Sequence, residues 1–451
     1  FVQNNSSSSF VDFYNMDNSN EAKDALRSEI KKDYRYIVAT EKNEIIGLVT
    51  WIAHGLPKHG LFEVDRICVL KRYRGGGIGK KLVKWLINDA KRWYKTHGAQ
   101  IRKLYISMNV GINGFGRIGR AIFRLISKNK DINVSVINDI NPDIKNICYT
   151  LQYDSIHGTF KDRVHSKNSE IIIGKNKIKY FSKKKVDEIN WRKYNVDILI
   201  DSSGILENVK IISKRRNICN YSIITHATYK QPKIKTLVFG VNDEKFNFKK
   251  NKIISSSICD TVAFSPLYKL IDENYKVVNG NLITLHPWLP FQNLLDGKSA
   301  SWSVPGDTFS QYALGRSAVQ NLIPKSTSAV NAAELVIPKI KKKLKSLSFR
   351  VPTNLVSGSV LNLNLKKKIS LESIKNLIKQ FEKNQKWNIL KINYDPVTSI
   401  DFIGEEFSLI LDDRWTSLND QNLQLVIWYD NEIGYSSKVI DIIKKIKISN
   451  V

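Results

Sequence analysis

Cys259, in Ile258-Cys259-Asp260-Thr261, and His286, 27 positions later in Leu285-His286-Pro287-Trp288, are the residues of this chain best suited to do chemistry. A thiol becomes a nucleophile once a base takes its proton, and pairing with such a cysteine turns an otherwise structural histidine into a candidate base. Upstream, Gly114, Gly116 and Gly119 in Gly-Ile-Asn-Gly-Phe-Gly-Arg-Ile-Gly-Arg have the spacing of a turn that lays a pyrophosphate against a helix N-terminus. Nucleophile, base and nucleotide turn together describe capture of a carbonyl carbon on sulfur, with a hydride passing to a nicotinamide. A second glycine loop, from Arg74 to Gly79, belongs to different chemistry. The chain reads as two unrelated modules.

The elements that must carry these residues follow from periodicity. In the first module a helix is expected over Asn20 to Lys32, then strands over Tyr36 to Glu41 and Glu44 to Ala53 joined by a turn at Lys42-Asn43. A strand from Phe62 to Leu70 runs into Arg74-Gly75-Gly76-Gly77-Ile78-Gly79, and a helix from Lys80 to about Tyr94 follows. Strand, glycine loop and helix make an anion-binding arrangement, in which bare N–H groups and the positive helix end face phosphate. Glu63 and Asp65 are the candidate bases nearby, although alternate carboxylates on a strand as often face solvent.

In the second module an apolar strand turns through the glycines into a helix from Arg120 to Ser127. Asp139 ends the strand Val134 to Asn138, 20 residues past Gly119, where a carboxylate bonds ribose hydroxyls and repels a 2′-phosphate. NAD is therefore favoured over NADP. Strands over Val196 to Ile200 and up to Ile224-Thr225 add further ends of the same sheet; Ser202 and Ser203 there read equally well as helix caps. Cys259 follows a strand from Lys252 to Ser256 and precedes a helix from Thr261 to Leu270, whose dipole, with an imidazolium beside it, would stabilise a thiolate. His286 ends the strand Leu282 to Leu285, and apolar spacing from Gly434 to Ile448 predicts a last helix packed on the nucleotide sheet.

Composition sets outer bounds. A chain of 451 residues is too long for one ordinary core. Its net charge of +29 comes from scattered lysines without aromatic platforms, which reads as solvated surface and argues against specific nucleic-acid binding. Four cysteines with no CxxC exclude a zinc site and a disulfide framework and fit a reducing cytoplasm; Cys148 and Cys219 read as core. No run is long enough to span a bilayer, and Phe1 through Asn20 has no signal-peptide character. The sequence opens on Phe rather than Met, so its true beginning is expected to be missing.

The first module resembles the GCN5-related N-acetyltransferases (GNAT), whose acetyl-CoA loop is matched by Arg74, Gly77 and Gly79. That resemblance implies a partial GNAT α/β fold over 1–107, with acetyl-CoA held by Arg74, Gly75, Gly77, Gly79 and Lys80. After the strand Lys103 to Ser107 the family's last helix and strands are missing, which puts acetyl transfer in doubt. The join suggests that Met108 is the native start of the second module, with a fused or misassembled gene fragment upstream.

Residues 108–451 resemble the glyceraldehyde-3-phosphate dehydrogenases, through the glycine turn, Tyr153-Asp154-Ser155-Ile156-His157-Gly158, Gln292-Asn293-Leu294-Leu295-Asp296-Gly297, Asn321-Leu322-Ile323-Pro324, Phe349-Arg350-Val351-Pro352-Thr353 and Trp428-Tyr429-Asp430-Asn431-Glu432. The implied fold is a Rossmann NAD-binding domain over 108–258, completed by a C-terminal helix in 431–451, plus an α+β antiparallel-sheet catalytic domain over 259–430. The implied roles are Cys259 as nucleophile and His286 as its activator; Gly114, Gly116, Arg117, Ile118, Gly119, Asp139, Thr225 and Asn431 as cofactor contacts; and Arg350 as a clamp for the substrate phosphate. A loop over Ser299 to Ser326 implies a homotetramer. The family's Ser-Cys-Thr-Thr-Asn-Cys is here Ile258-Cys259-Asp260-Thr261-Val262-Ala263, and Leu289 stands where a threonine is expected, so donors for incoming inorganic phosphate are lost. Thr327 remains, with Ser328 in place of glycine. An ionised Asp260 would oppose the thiolate. These departures resemble the arsenate-resistance branch encoded beside an organoarsenical exporter, in which arsenate opens the thioester to give 1-arseno-3-phosphoglycerate; the alternatives are ordinary glycolytic oxidation with phosphate and N-acetyl transfer by the first module.

Overall fold

The computed structural model describes residues 2–6, 31–41, 44–54, 61–69, 77–98, 103–106, 108–129, 131–214, 218–228, 231, 233–299 and 311–450. The chain divides into two compact units, Phe1–Met108 and Asn109–Val451.

In the first unit five strands run in the spatial order Val2–Ser6, Lys31–Glu41, Glu44–His54, Leu61–Val69 and Lys103–Ile106. Neighbours are antiparallel except the last pair, which is parallel and therefore needs a crossover, supplied by the helix Ile78–Thr96. That helix buries Leu82, Leu86, Ala90 and Tyr94, each four residues from the next, against Val49, Trp51 and Phe62 of the sheet. Truncating an aromatic such as Phe62 here would cost about 3–5 kcal/mol. The helix expected from Asn20 is corrected at its end, since Lys31 and Lys32 open a strand paired with Val2–Ser6; residues 20–30 and the turn at 42–43 lie outside the described residues.

The strand Met108–Asn113, in the second unit from Asn109 onward, lies at the centre of a nine-stranded sheet, between Ile198–Asp201 and Ile132–Asn138. Its partner Ile198–Asp201 is parallel, as are Tyr221–Ile224 and Ile253–Ser255 beyond it. Such strands are covered on both faces and read as apolar runs, as Ile-Leu-Ile does at 198–200. All their C-terminal ends therefore meet at one edge, where a dinucleotide lies in folds of this kind. The last helix, Ile433–Asn450, packs on the helix Arg117–Ser127 with Val439, Ile443 and Ile446 fully buried.

A second, mixed sheet carries the rest. Its strands Ile323–Lys325, Leu344–Val351, Val277–Pro287, Ser357–Leu365 and Asn422–Tyr429 lie side by side. Most pairs are antiparallel, but Val277–Pro287 and Leu344–Val351 are parallel and set His286 opposite Arg350. The strand is longer than expected and includes His286, because its pairing with Arg350 and of Pro287 with Val351 extends the ladder. The fold is thus a Rossmann-like NAD-binding domain and a mixed-sheet catalytic domain, preceded by a GNAT-type domain.

Candidate active site

The nucleophile is positioned by a sharp turn. Ile253–Ser255 ends, Ser257 takes a left-handed conformation at φ 64°, and Cys259 opens a helix running to Tyr275. A serine held there carries strain, of order 1 kcal/mol, and the structure fixes it: the Tyr435 hydroxyl donates to Ser257 O at 3.1 Å, and the Ser257 amide donates to Ser255 Oγ at 3.1 Å. The helix is longer at both ends than the expected Thr261 to Leu270, passing through Pro266. This puts Cys259 on the first turn rather than ahead of it.

Cys259 Sγ lies 3.6 Å from His286 Nε2 and donates to Asp260 Oδ1 at 3.4 Å. Burial, then the Asp260 charge, pushes the thiol well above its ordinary range, while burial and then the Arg350 charge lower His286 to about 4. The expected thiolate–imidazolium pair is therefore corrected to a neutral thiol beside a neutral imidazole, because desolvation outweighs the helix dipole here. The tautomer follows from the partner. His286 Nδ1 sits 2.8 Å from Pro287 O, which can only accept, so Nδ1 carries the hydrogen and Nε2 presents its lone pair to sulfur.

Asp260 is buried, and both its oxygens are engaged. Tyr429 donates to Oδ1 at 2.8 Å and Thr327 Oγ1 to Oδ2 at 3.3 Å. Thr327 thus gives its hydroxyl hydrogen to a carboxylate, while Ser328 is exposed and caps the short helix Ala329–Glu334 with its backbone. Tyr429 was not singled out from sequence, although it stands in the Trp-Tyr-Asp-Asn-Glu motif.

Arg350 is buried and donates through Nη1 to Pro287 O at 3.3 Å, but its Nε has no partner. Burial and the neighbouring Arg350 charge push Lys325 down to about 8, with Asp260 and Cys259 pulling the other way. Sequence reasoning missed this lysine. The sulfur, carboxylate and imidazole of Cys259, Asp260 and His286 lie within 4.8 Å of one another, a spacing suited to a soft divalent cation, yet Arg350 and Lys325 act electrostatically on the same groups and oppose one.

On the nucleotide side, Gly114 has φ +90°, and a Cβ there would meet Ser203 N at 2.5 Å; a Cβ on Gly119 would meet Gly114 O at 2.2 Å. These two glycines let strand, turn and helix approach. Gly116 has open space where a side chain would be, and the helix Arg117–Ser127 starts beside it with no side-chain cap. A cavity of about 630 Å³ is lined by Gly116, Arg117, Ile118, Thr225, Cys259, His286 and Asn431, among others. The Arg117 guanidinium is spoken for, bidentate to Glu432 at 2.7 and 2.6 Å and bonded to Asp154 at 2.7 Å, with His157 on the same Glu432 at 2.9 Å. Asp139 accepts from the Phe115 amide at 2.6 Å and the Asn141 amide at 3.0 Å, tying the glycine turn to its strand. Asn431 Oδ1 is buried without a partner, an acceptor suited to a carboxamide N–H, so these residues fit a nicotinamide dinucleotide. Arg350, Lys325, Asp260, Thr327 and Asp139 are not among the cavity's lining residues.

In the first unit, Gly77 begins the helix Ile78–Thr96 at φ 74° with no side-chain cap; Gly79 follows, and Lys80 is exposed. Arg74 and Gly75 lie outside the described residues, as do the side chains of Glu63 and Asp65.

A parallel nucleotide sheet whose cavity reaches a half-buried thiol and a neutral imidazole defines an NAD-dependent oxidoreductase. Family models for the glyceraldehyde 3-phosphate dehydrogenase NAD binding domain and C-terminal domain match residues 108–209 and 258–431. Glyceraldehyde-3-phosphate dehydrogenases of Buchnera aphidicola and Chlamydia muridarum are 35% and 33% identical, over 76% and 75% of this chain and 100% and 99% of their own. A Caenorhabditis elegans glyceraldehyde-3-phosphate dehydrogenase 2 is 36% identical over 75% of this chain and 98% of its own. The chain belongs to the glyceraldehyde-3-phosphate dehydrogenase family. An acetyltransferase (GNAT) domain model matches residues 32–112, so the two families' matches share 108–112. Among the described residues no helix is long and apolar enough to cross a membrane.

Proposed function

We propose that this protein oxidises glyceraldehyde-3-phosphate with NAD through a thioester on Cys259, which an oxyanion, phosphate or arsenate, then releases. The observation that carries the reading is the 3.6 Å approach of Cys259 Sγ to the lone pair of His286 Nε2 at the cavity wall. His286 relays the thiol proton to the aldehyde oxygen as sulfur attacks the carbonyl carbon, giving a hemithioacetal. Bound NAD supplies the hydride acceptor; Gly114, Gly116, Gly119, the amides at Arg117 and Ile118, Asp139, Thr225 and Asn431 would hold it. His286 takes the hemithioacetal hydroxyl proton as the thioester forms, and returns it to sulfur when the oxyanion displaces the acyl group. Arg350 is the binding partner for a phosphate group.

Arsenate as the acceptor is supported by the resemblance and by the loss of hydroxyl donors at Asp260 and Leu289. Homotetramer formation is supported by the family and by the exposure of Leu294, Leu295, Tyr312 and Leu322 around the loop that implies it. A reducing cytoplasm suits free Cys148, Cys219 and Cys259. For the N-terminal unit the supported reading is acetyl-CoA binding at Arg74, Gly75, Gly77, Gly79 and Lys80, with acetyl transfer as a second activity. The deciding measurement is NADH formation by the purified chain with glyceraldehyde-3-phosphate, comparing arsenate with phosphate. Turnover with either supports the oxidation and faster turnover with arsenate supports the detoxifying role; no NADH burst with either removes the proposal.

A further inference from the structure

Three strands bring a neutral imidazole and two cations to one face of the catalytic sheet. His286 on Val277–Pro287 is in register with Arg350 on Leu344–Val351, and Arg350 is in register with Ile323 on Ile323–Lys325. Lys325, two residues from Ile323, points to the same face as Ile323 and is the diagonal neighbour of Arg350. Cys259 and Asp260, on the helix above this face, act on both cations.

Holding a buried Arg350 and a half-buried Lys325 side by side is unfavourable unless something negative is bound there. Asp260 supplies one negative charge, but its oxygens already accept from Tyr429, Thr327 and the Cys259 thiol. Arg350 Nε remains a buried donor without an acceptor. The charge balance of Asp260 against Arg350 and Lys325 leaves one positive charge over, so the compartment lacks an anion. Burial lowers Lys325 to about 8, which still leaves it largely protonated at neutral pH.

We propose that Lys325 and Arg350 form a two-cation cradle for a tetrahedral oxyanion beside Cys259, with Lys325 supplying what the hydroxyls replaced by Asp260 and Leu289 do not. An ammonium on a flexible stem binds phosphate as a point charge, and the guanidinium adds directed donors. The inference rests on the reading of Cys259 as the acylated residue and names the group that receives the oxyanion. The same chemistry would serve a free phosphate or arsenate and the terminal phosphate of the aldehyde.

The test uses the full chain with NAD and compares Lys325→Met and Lys325→Arg with the parent. If a free oxyanion occupies the cradle, Lys325→Met raises KM for inorganic phosphate and arsenate on the order of tenfold to a hundredfold, the usual range for one charge-assisted bond. If the aldehyde's own phosphate occupies it, KM for glyceraldehyde-3-phosphate rises instead, while unphosphorylated glyceraldehyde is unaffected. In both cases Lys325→Arg restores most of the loss, and oxyanion binding by the parent weakens as pH rises through about 8 but holds in Lys325→Arg. Both KM values staying within about twofold, or no rescue by arginine, overturns the cradle. Should Lys325→Met misfold, the parent gives a second measurement: inorganic phosphate protects Lys325 from an amine-acylating reagent, read by peptide mass spectrometry, and an unprotected Lys325 equally overturns the proposal. A parent with no NADH burst would instead sink the oxidation itself, so the two failures are distinguishable.

Discussion

The nucleotide side of the cavity and the sulfur side are built by opposite means. Around Gly114, Gly116 and Gly119 the contacts are backbone, and side chains are excluded by space: two of the three positions would put a Cβ within 2.5 Å of main-chain atoms. Around Cys259 the contacts are side chains, with Asp260, His286, Thr327, Arg350 and Tyr429 bonded or charge-coupled to one another. A backbone-made site tolerates almost no substitution at its glycines yet leaves flanking residues free to change. A side-chain site can exchange its charges while keeping its geometry, and the carboxylate of Asp260 is such an exchange.

The largest effect expected separates the two sides outright. Cys259→Ser removes the sulfur nucleophile and leaves the glycine turn intact, so NADH formation should fall by at least about a thousandfold. NAD affinity, measured by calorimetry, should stay within about twofold, because one lining atom among many changes. Equal loss of binding and turnover would mean the two sides are one coupled unit. Gly114→Ala does the reverse. Its φ of +90° and a Cβ 2.5 Å from Ser203 N force the turn open, at a cost of roughly 2–4 kcal/mol in the unfolding free energy of the nucleotide domain. NAD affinity should fall with it, and an unchanged melting temperature would show that the turn is looser than its packing implies.

The contrast also governs what could be read from the chain. The glycine turn and Asp139 were legible because the whole device lies within one strand-turn-helix unit and the next strand. Cys259 and His286 were legible as residue types, but their protonation was not: the sequence argument weighed the helix dipole, whereas burial dominates in the fold. Tyr429, 169 positions from the Asp260 it bonds, left no local signal. Lys325 looked like one more scattered lysine, since its relevance depends on the pairing of Ile323–Lys325 with Leu344–Val351. In the first unit, Lys31 and Lys32 were read as the end of a helix because their strand partner, Val2–Ser6, lies in a polar Ser/Asn stretch without a strand pattern.

Asp260→Asn gives the smallest effect and the sharpest reading of the sulfur side. The carboxylate raises the thiol both by its charge and by accepting its hydrogen at 3.4 Å, so an amide of the same shape should let the thiol ionise at lower pH. Alkylation of Cys259 by iodoacetamide at neutral pH should then quicken, with its rate–pH curve displaced to the acid side, because a larger share of the sulfur is thiolate at a given pH. Burial, the larger cause, is untouched, so the curve should remain above that of an exposed cysteine. The amide keeps one acceptor for Tyr429 or Thr327 but not for both, so part of the gain in thiolate would be offset by looser positioning. An unchanged rate–pH curve would mean that Asp260 carries no charge in the resting site, leaving both cations there uncompensated.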